Sequence, residues 1–204
     1  MKQDTKQRII ETGAQIIHLK GYNHTGIQEV IKAAGVPKGS FYFYFNNKED
    51  FGLHVIDFYN KMYLGMIDPI VNNKDLLPLK RIEKMFDLFI DLFKELDYTC
   101  GCPIGNLSQE MGDLNEAFST KLTASVELIA GVYKDILDEA KQMKEIPETI
   151  DTQETAEFIV SSWHGSLIRM KIIKSIEPLK LHKRFILNSL NRSSERNPRC
   201  LQRG

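Results

Sequence analysis

The sequence has little cysteine, no net charge and no long apolar run. Three cysteines in 204 residues, two of them separated by a single residue, do not make a disulfide framework, which agrees with a reducing compartment. No apolar stretch approaches the roughly 18 residues that cross a membrane, and no basic-then-apolar leader opens the chain. The expectation is a soluble, cytoplasmic protein. Strand–helix alternation, a C-x-x-C redox pair and a phosphate-binding loop are also missing, which argues against a thiol enzyme such as a peroxidase or transferase. The 27 Lys/Arg and 27 Asp/Glu cancel, but unevenly. Residues 1–46 carry six Lys/Arg against three acids, leaving +3 there and −3 on the rest. A mildly basic front end is what a local phosphate contact needs.

What is present is helical period, and its most informative stretch is TGIQEVIKAAGVPKGSFYFYFNNK, Thr25 to Lys48. Ile27, Val30, Ile31 and Ala34 recur at helical spacing, with Thr25 and Gln28 reading as a capping box at the start. Gly35 suits a helix stop and Pro37 the first position of a second helix. Phe41 and Phe45, four apart, can turn inward. Lys38, Gly39, Ser40, Tyr42, Phe43 and Tyr44 are left to face elsewhere, and a solvated helix face is rarely built from aromatics. A helix-turn-helix offering hydroxyls, a lysine, aromatics and a close-approach glycine fits a DNA groove.

The stretch GVPKGSFYFYFNNKEDF resembles the signature of the tetracycline-repressor (TetR) family of bacterial regulators. Similarity is close over about residues 5–55 and continues afterwards only in helical plan. The resemblance implies an all-α protein of about nine helices: a three-helix helix-turn-helix domain over 1–47, and a helical ligand-sensing and dimerisation domain over 48–191. It implies a transcriptional repressor rather than an enzyme, without cofactor, metal or membrane partner. Its partners would be palindromic double-stranded operator DNA, a second copy of itself and a small-molecule effector. Matching the family motif, Lys38, Gly39, Ser40, Tyr42, Phe43 and Tyr44 would meet the major groove. Gly39 lets backbone approach, Ser40 and Tyr44 donate to phosphates, Lys38 reaches a guanine edge, and Tyr42 and Phe43 touch thymine methyls. Thr25 and Gln28 would reach backbone or a base edge, and Lys48 would clamp a phosphate at a helix start. One departure is Phe43, where relatives frequently carry histidine; a polar contact is lost there.

The remaining chain reads as further helices. A first helix over Lys6–Leu19 buries Ile9, Ile10, Gly13, Ala14 and Ile17 and ends at Gly21. Asn47 caps a fourth, expected to be the only mechanical link between the halves, with Pro69 near its end. Periodic segments begin at Pro78, Pro103, Glu116, Thr152 and Pro178, and the acidic residues Glu110, Asp113 and Glu116 read as solvated. The last two helices, within 152–191, have wide apolar faces suited either to burial within one subunit or to a four-helix bundle with a second copy. Residues 192–204 (RSSERNPRCLQRG) lack apolar period and read as a disordered tail.

A second informative stretch is YTCGCPIGNLSQE, Tyr98 to Glu110. Pro103 at a first helical position puts Cys102 at the N-cap, where free amides and the helix dipole favour a thiolate. The segment resembles a branch of the family that includes the repressor of N-ethylmaleimide reductase and acrylate-responsive regulators. In the former, a cysteine at the position of Cys102 senses electrophiles and reactive chlorine. Phe86, Phe89, Phe93, Met111, Tyr133, Trp163 and His164 are the candidate lining residues of an effector pocket; a plain core has the same spacing. Cys100 is a bystander or a resolving thiol, and one intervening residue makes a poor metal pair with Cys102. Three readings follow: a repressor released by an electrophile or oxidant at Cys102, the same repressor with a reversible non-covalent apolar ligand, and a thiol-dependent enzyme.

Overall fold

The computed structural model describes residues 4–192, and all regular structure among them is helical. The helices are α1 (Thr5–Lys20), α2 (Ile27–Ala33), α3 (Lys38–Tyr44), α4 (Lys48–Val71), α5 (Pro78–Glu95), α6 (Pro103–Met111), α7 (Glu116–Gln142), α8 (Thr152–Ile173) and α9 (Glu177–Arg192). The tail read as disordered lies, from residue 193 on, outside the described residues.

Most boundaries follow local chemistry. Asp4 caps α1, Asn47 Oδ1 accepts the Asp50 amide at 2.8 Å at the head of α4, and Asp151 Oδ1 accepts the Glu154 amide at 2.9 Å before α8. Gly35, at φ +63°, ends α2 in a Schellman-type turn, with the Val36 amide donating to Ile31 O at 3.1 Å. Pro37 is the N-cap of α3 rather than its first residue. The Thr25–Gln28 capping box does not form. The cap of α2 is Gly26, because the Thr25 hydroxyl is buried and donates instead to Gly21 O at 2.7 Å, closing the end of α1.

The chain divides into two compact units, residues 4–66 with 100–126 and residues 67–99 with 127–192. These units divide within α4 and α7, whereas the expected DNA-binding domain ends at residue 47. The first half of α4, all of α6 and the start of α7 share a core with α1, α2 and α3: Ile9, Phe41, Phe51, Ile56, Ile104, Leu107 and Phe118 belong to one buried cluster. Both α4 and α7 run from one unit into the other, so α4 is not the only continuous link. In the second unit α8 packs on α9 and α9 on α5. There Arg81 is fully buried; it donates to Val71 O at 2.9 Å and pairs with Glu139 at 2.6 Å. Lys183 of α9 holds Asp87 and Glu83 of α5 at 2.7 and 3.1 Å.

Candidate functional site

Helix α3 divides sharply between inside and outside. Phe41 and Phe45 are buried with ring centroids 5.1 Å apart, and Phe51 of α4 meets them at 5.4 and 5.2 Å. This aromatic triad fixes the helix on its scaffold. The opposite side presents Tyr42, 50 % exposed, and Phe43, 80 % exposed, beside exposed Lys38 and Gly39. Lys38 Nζ stands 5.9 Å from the Tyr42 ring. Ser40 and Tyr44 are half-buried, and the Tyr44 ring sits between Phe43 at 4.9 Å and Phe45 at 6.4 Å. A side chain at Gly39 would meet no protein atom within 4 Å, and its backbone is helical. Neither crowding nor strain inside the protein calls for glycine there.

Of the other sequence-predicted contacts, Gln28 is exposed at the start of α2. Thr25, by contrast, is buried, and its hydroxyl donates within the protein, to Gly21 O at 2.7 Å. Lys48 is half-buried, with Nζ 4.3 Å from the Tyr22 ring centroid and 3.5 Å from Asn23 O. Burial lowers its pKa, and the nearby Glu110 carboxylate acts in the opposite direction. The Tyr22 hydroxyl is pushed up to about 12, first by burial and then by Glu49 and Glu110. Glu110 itself is not a solvated surface acid. Its two oxygens accept the backbone amides of Tyr22 at 2.8 Å and Asn23 at 2.7 Å.

The segment before α6 is tightly constrained. Asp97, Tyr98, Cys100 and Gly101 all have positive φ. His18 Nε2 donates to Gly101 O at 2.8 Å, and Asn106 Nδ2 donates to Cys100 O at 2.7 Å. Cys102 is the N-cap, and its Sγ accepts the Gly105 amide at 3.4 Å. The thiol is half-buried against the N-terminal core, near Tyr59, whose hydroxyl donates to Ala14 O at 2.5 Å. Burial raises the Tyr59 pKa, and the proximity of Cys100 and Cys102 raises it further.

The expected pocket residues fall in both units. Cys102 and Met111 belong to the N-terminal unit, and Phe86, Phe89, Phe93, Tyr133, Trp163 and His164 to the other. In the latter, Phe86 is the centre of a ring cluster with Tyr133 at 6.0 Å, Trp163 at 5.4 Å and His182 at 5.2 Å. His182 was not expected. It is buried, with Nε2 2.9 Å from Ser162 Oγ and 3.2 Å from Ile159 O, and burial lowers its pKa to about 4. Burial also lowers the pKa of His164. Phe93 is buried and Phe89 half-buried on α5.

Residues 9–55 match the family described as bacterial regulatory proteins, tetR family, and residues 78–186 match the tetracyclin repressor-like C-terminal domain. This chain belongs to the TetR family. The curated relatives include the transcriptional regulator AcuR of Cereibacter sphaeroides, 34 % identical over 85 % of this chain and 79 % of that protein. The HTH-type transcriptional repressor DhaR of Mycobacterium sp. is 30 % identical over 93 % of this chain and 94 % of its own length. The crystal structure of Escherichia coli NemR in reduced form superimposes with a TM-score of 0.85 at 25 % identity, covering 91 % of this chain and 96 % of that one. The relatives are named as regulators and repressors, not enzymes. TetR-family regulators bind operator DNA as dimers and answer small-molecule effectors.

For a TetR-family chain, the exposed aromatic face of α3 was readable because Phe41 and Phe45 carry a local period. The hydrogen bonds of Glu110 and His182 were not readable. Their partners lie 88 and 20 residues away, and no spacing rule reports such contacts. The only available signal for Glu110 was its place at the end of GNLSQE, on the helix that Cys102 caps.

Proposed function

We propose that this chain is a transcriptional repressor that grips a palindromic operator as a homodimer and releases it when an electrophile or oxidant reaches Cys102. The observation that carries the DNA-binding half is α3, held from behind by a buried aromatic triad and presenting Lys38, Gly39, Tyr42 and Phe43 outward. Ser40, Tyr44 and Lys48 are the phosphate contacts and Gln28 a contact at the head of α2. Dimerisation through 152–191 is supported by the exposed apolar side chains Phe158, Ile172, Leu181 and Phe185 on α8 and α9. Phe158, Leu181 and Phe185 line a cavity of about 260 Å³ together with Ser162, Arg169 and His182. A second copy covers this face and sets the spacing of two recognition helices.

Cysteine sensing is supported by Cys102 capping α6, with its sulfur already accepting a helix amide, and by relatedness to the repressor NemR, whose crystal structure is of a reduced form. With N-ethylmaleimide, the Cys102 thiolate adds to the ring double bond; a C–S bond forms and the displaced electron pair takes a proton from water. With hypochlorite, the thiolate becomes a sulfenic acid and chloride leaves. Either change disturbs the N-terminus of a helix whose Ile104, Leu107 and Met111 lie in the DNA-binding core. The two recognition helices then lose their match to the operator. The test uses a duplex selected from a random pool by binding to the protein; it should be an inverted repeat. N-ethylmaleimide should release it from wild type and not from Cys102→Ser. Release from both proteins would instead mean that the sensing thiol lies elsewhere, or that Cys102 is a bystander to a reversible apolar effector.

A further inference from the structure

The helix capped by Cys102 is fastened at both ends to the helix-turn-helix, and by different means. At its head, His18 of α1 holds Gly101 O. At its foot, Glu110 reaches the turn between α1 and α2 and takes two consecutive main-chain amides, those of Tyr22 and Asn23. A carboxylate accepting two adjacent N–H groups is a charge-assisted, two-point contact that fixes orientation as well as distance. Gly21 makes room for it. At φ +89° it turns the chain so that both amides point the same way, and a Cβ there would lie 3.0 Å from a Glu110 oxygen. Lys48, from the first turn of α4, closes the group over the Tyr22 ring and Asn23 O. Three parts of the chain that a DNA-binding unit must keep in register thus meet at one carboxylate.

We infer that Glu110 is the positioning residue that couples α6 to the recognition helices, transmitting a shift of α6 to the α1–α2 turn through the Tyr22 and Asn23 amides. This rests on the proposal that α3 binds DNA, and it extends the proposal that α6 responds to Cys102. The apolar contacts of α6 with the core are non-directional and tolerate sliding; the paired amide bonds do not. Coupling of this kind is reciprocal, so DNA bound at α3 must in turn restrain α6.

That reciprocity gives a test without an effector. Hydrogen exchange of residues 97–112 is measured on the full-length protein with and without the selected duplex. In wild type the duplex should slow exchange by at least about fivefold, the low end of ordinary coupling between linked sites. Glu110→Gln offers one acceptor and turns an NH₂ toward the second amide. It should still fold, at a somewhat lower thermal midpoint, and bind the duplex, while the slowing falls below about twofold and N-ethylmaleimide no longer releases DNA. Glu110→Asp keeps the charge but cannot reach both amides, and should show the same loss. Undiminished slowing in either variant would overturn the inference, and so would loss of duplex binding in Glu110→Gln at a temperature where it is fully folded, because Glu110 would then belong to the grip itself. If wild type showed the slowing but ignored N-ethylmaleimide, the cysteine proposal would fail while the coupling role of Glu110 stood.

Discussion

Single residues on α3 separate stability from function. Phe41 is fully buried against Phe45 and Phe51, and Phe41→Ala should cost about 3–5 kcal/mol, read as a lowered denaturant midpoint. Gly39 is the opposite case. Its added methyl meets nothing in the protein, so Gly39→Ala should leave stability unchanged or raise it by up to about 1 kcal/mol, while weakening duplex binding in a mobility-shift titration. This inside–outside division was legible in the sequence, because the i, i+4 phenylalanines mark the buried side. Thr25 was misread at the same scale. A threonine followed three residues later by glutamine looks like a helix start, yet its hydroxyl serves the end of the preceding helix, and only tertiary burial decides between the two.

At the scale of elements, periodicity located the helices of the described residues, with ends set by Asp4, Asn47, Cys102, Asp151 and the prolines. What periodicity could not show is where an element docks. Helix α6 is nine residues long, and its Ile104, Leu107 and Met111 would suit almost any core. That they enter the DNA-binding core follows from non-local contacts with α1 and α4, which leave no trace in local spacing. The α8–α9 pair carries its own prediction. Burial holds the His182 pKa near 4, against about 6.5 in an unfolded chain, and lowers that of His164 in the same direction. Between those values the unfolded chain binds more protons than the folded one, so stability is complete above about pH 6.5 and falls as the pH drops toward 4. The urea midpoint should therefore be lower at pH 5 than at pH 7, by about 1–2 kcal/mol in free energy. His182→Asn should flatten that difference.

Across the whole molecule, the all-helical plan and the family were readable from GVPKGSFYFYFNNKEDF, whereas the division into compact units was not, because residues 100–126 join the N-terminal helices across the intervening residues 67–99. The apolar face around Phe158, Leu181 and Phe185 makes the account testable by assembly state. Phe185→Glu should sediment as a monomer and lose about 100-fold or more in affinity for an inverted repeat, since the second half-site no longer contributes. The most direct measurement concerns Tyr42. Duplex affinity and thermal midpoint are determined side by side for wild type and Tyr42→Ala. The account predicts that binding is abolished while the midpoint moves by no more than about 2 °C, as expected for a half-exposed side chain. Binding equal to wild type would contradict it, because α3 would then not be the surface that reads DNA.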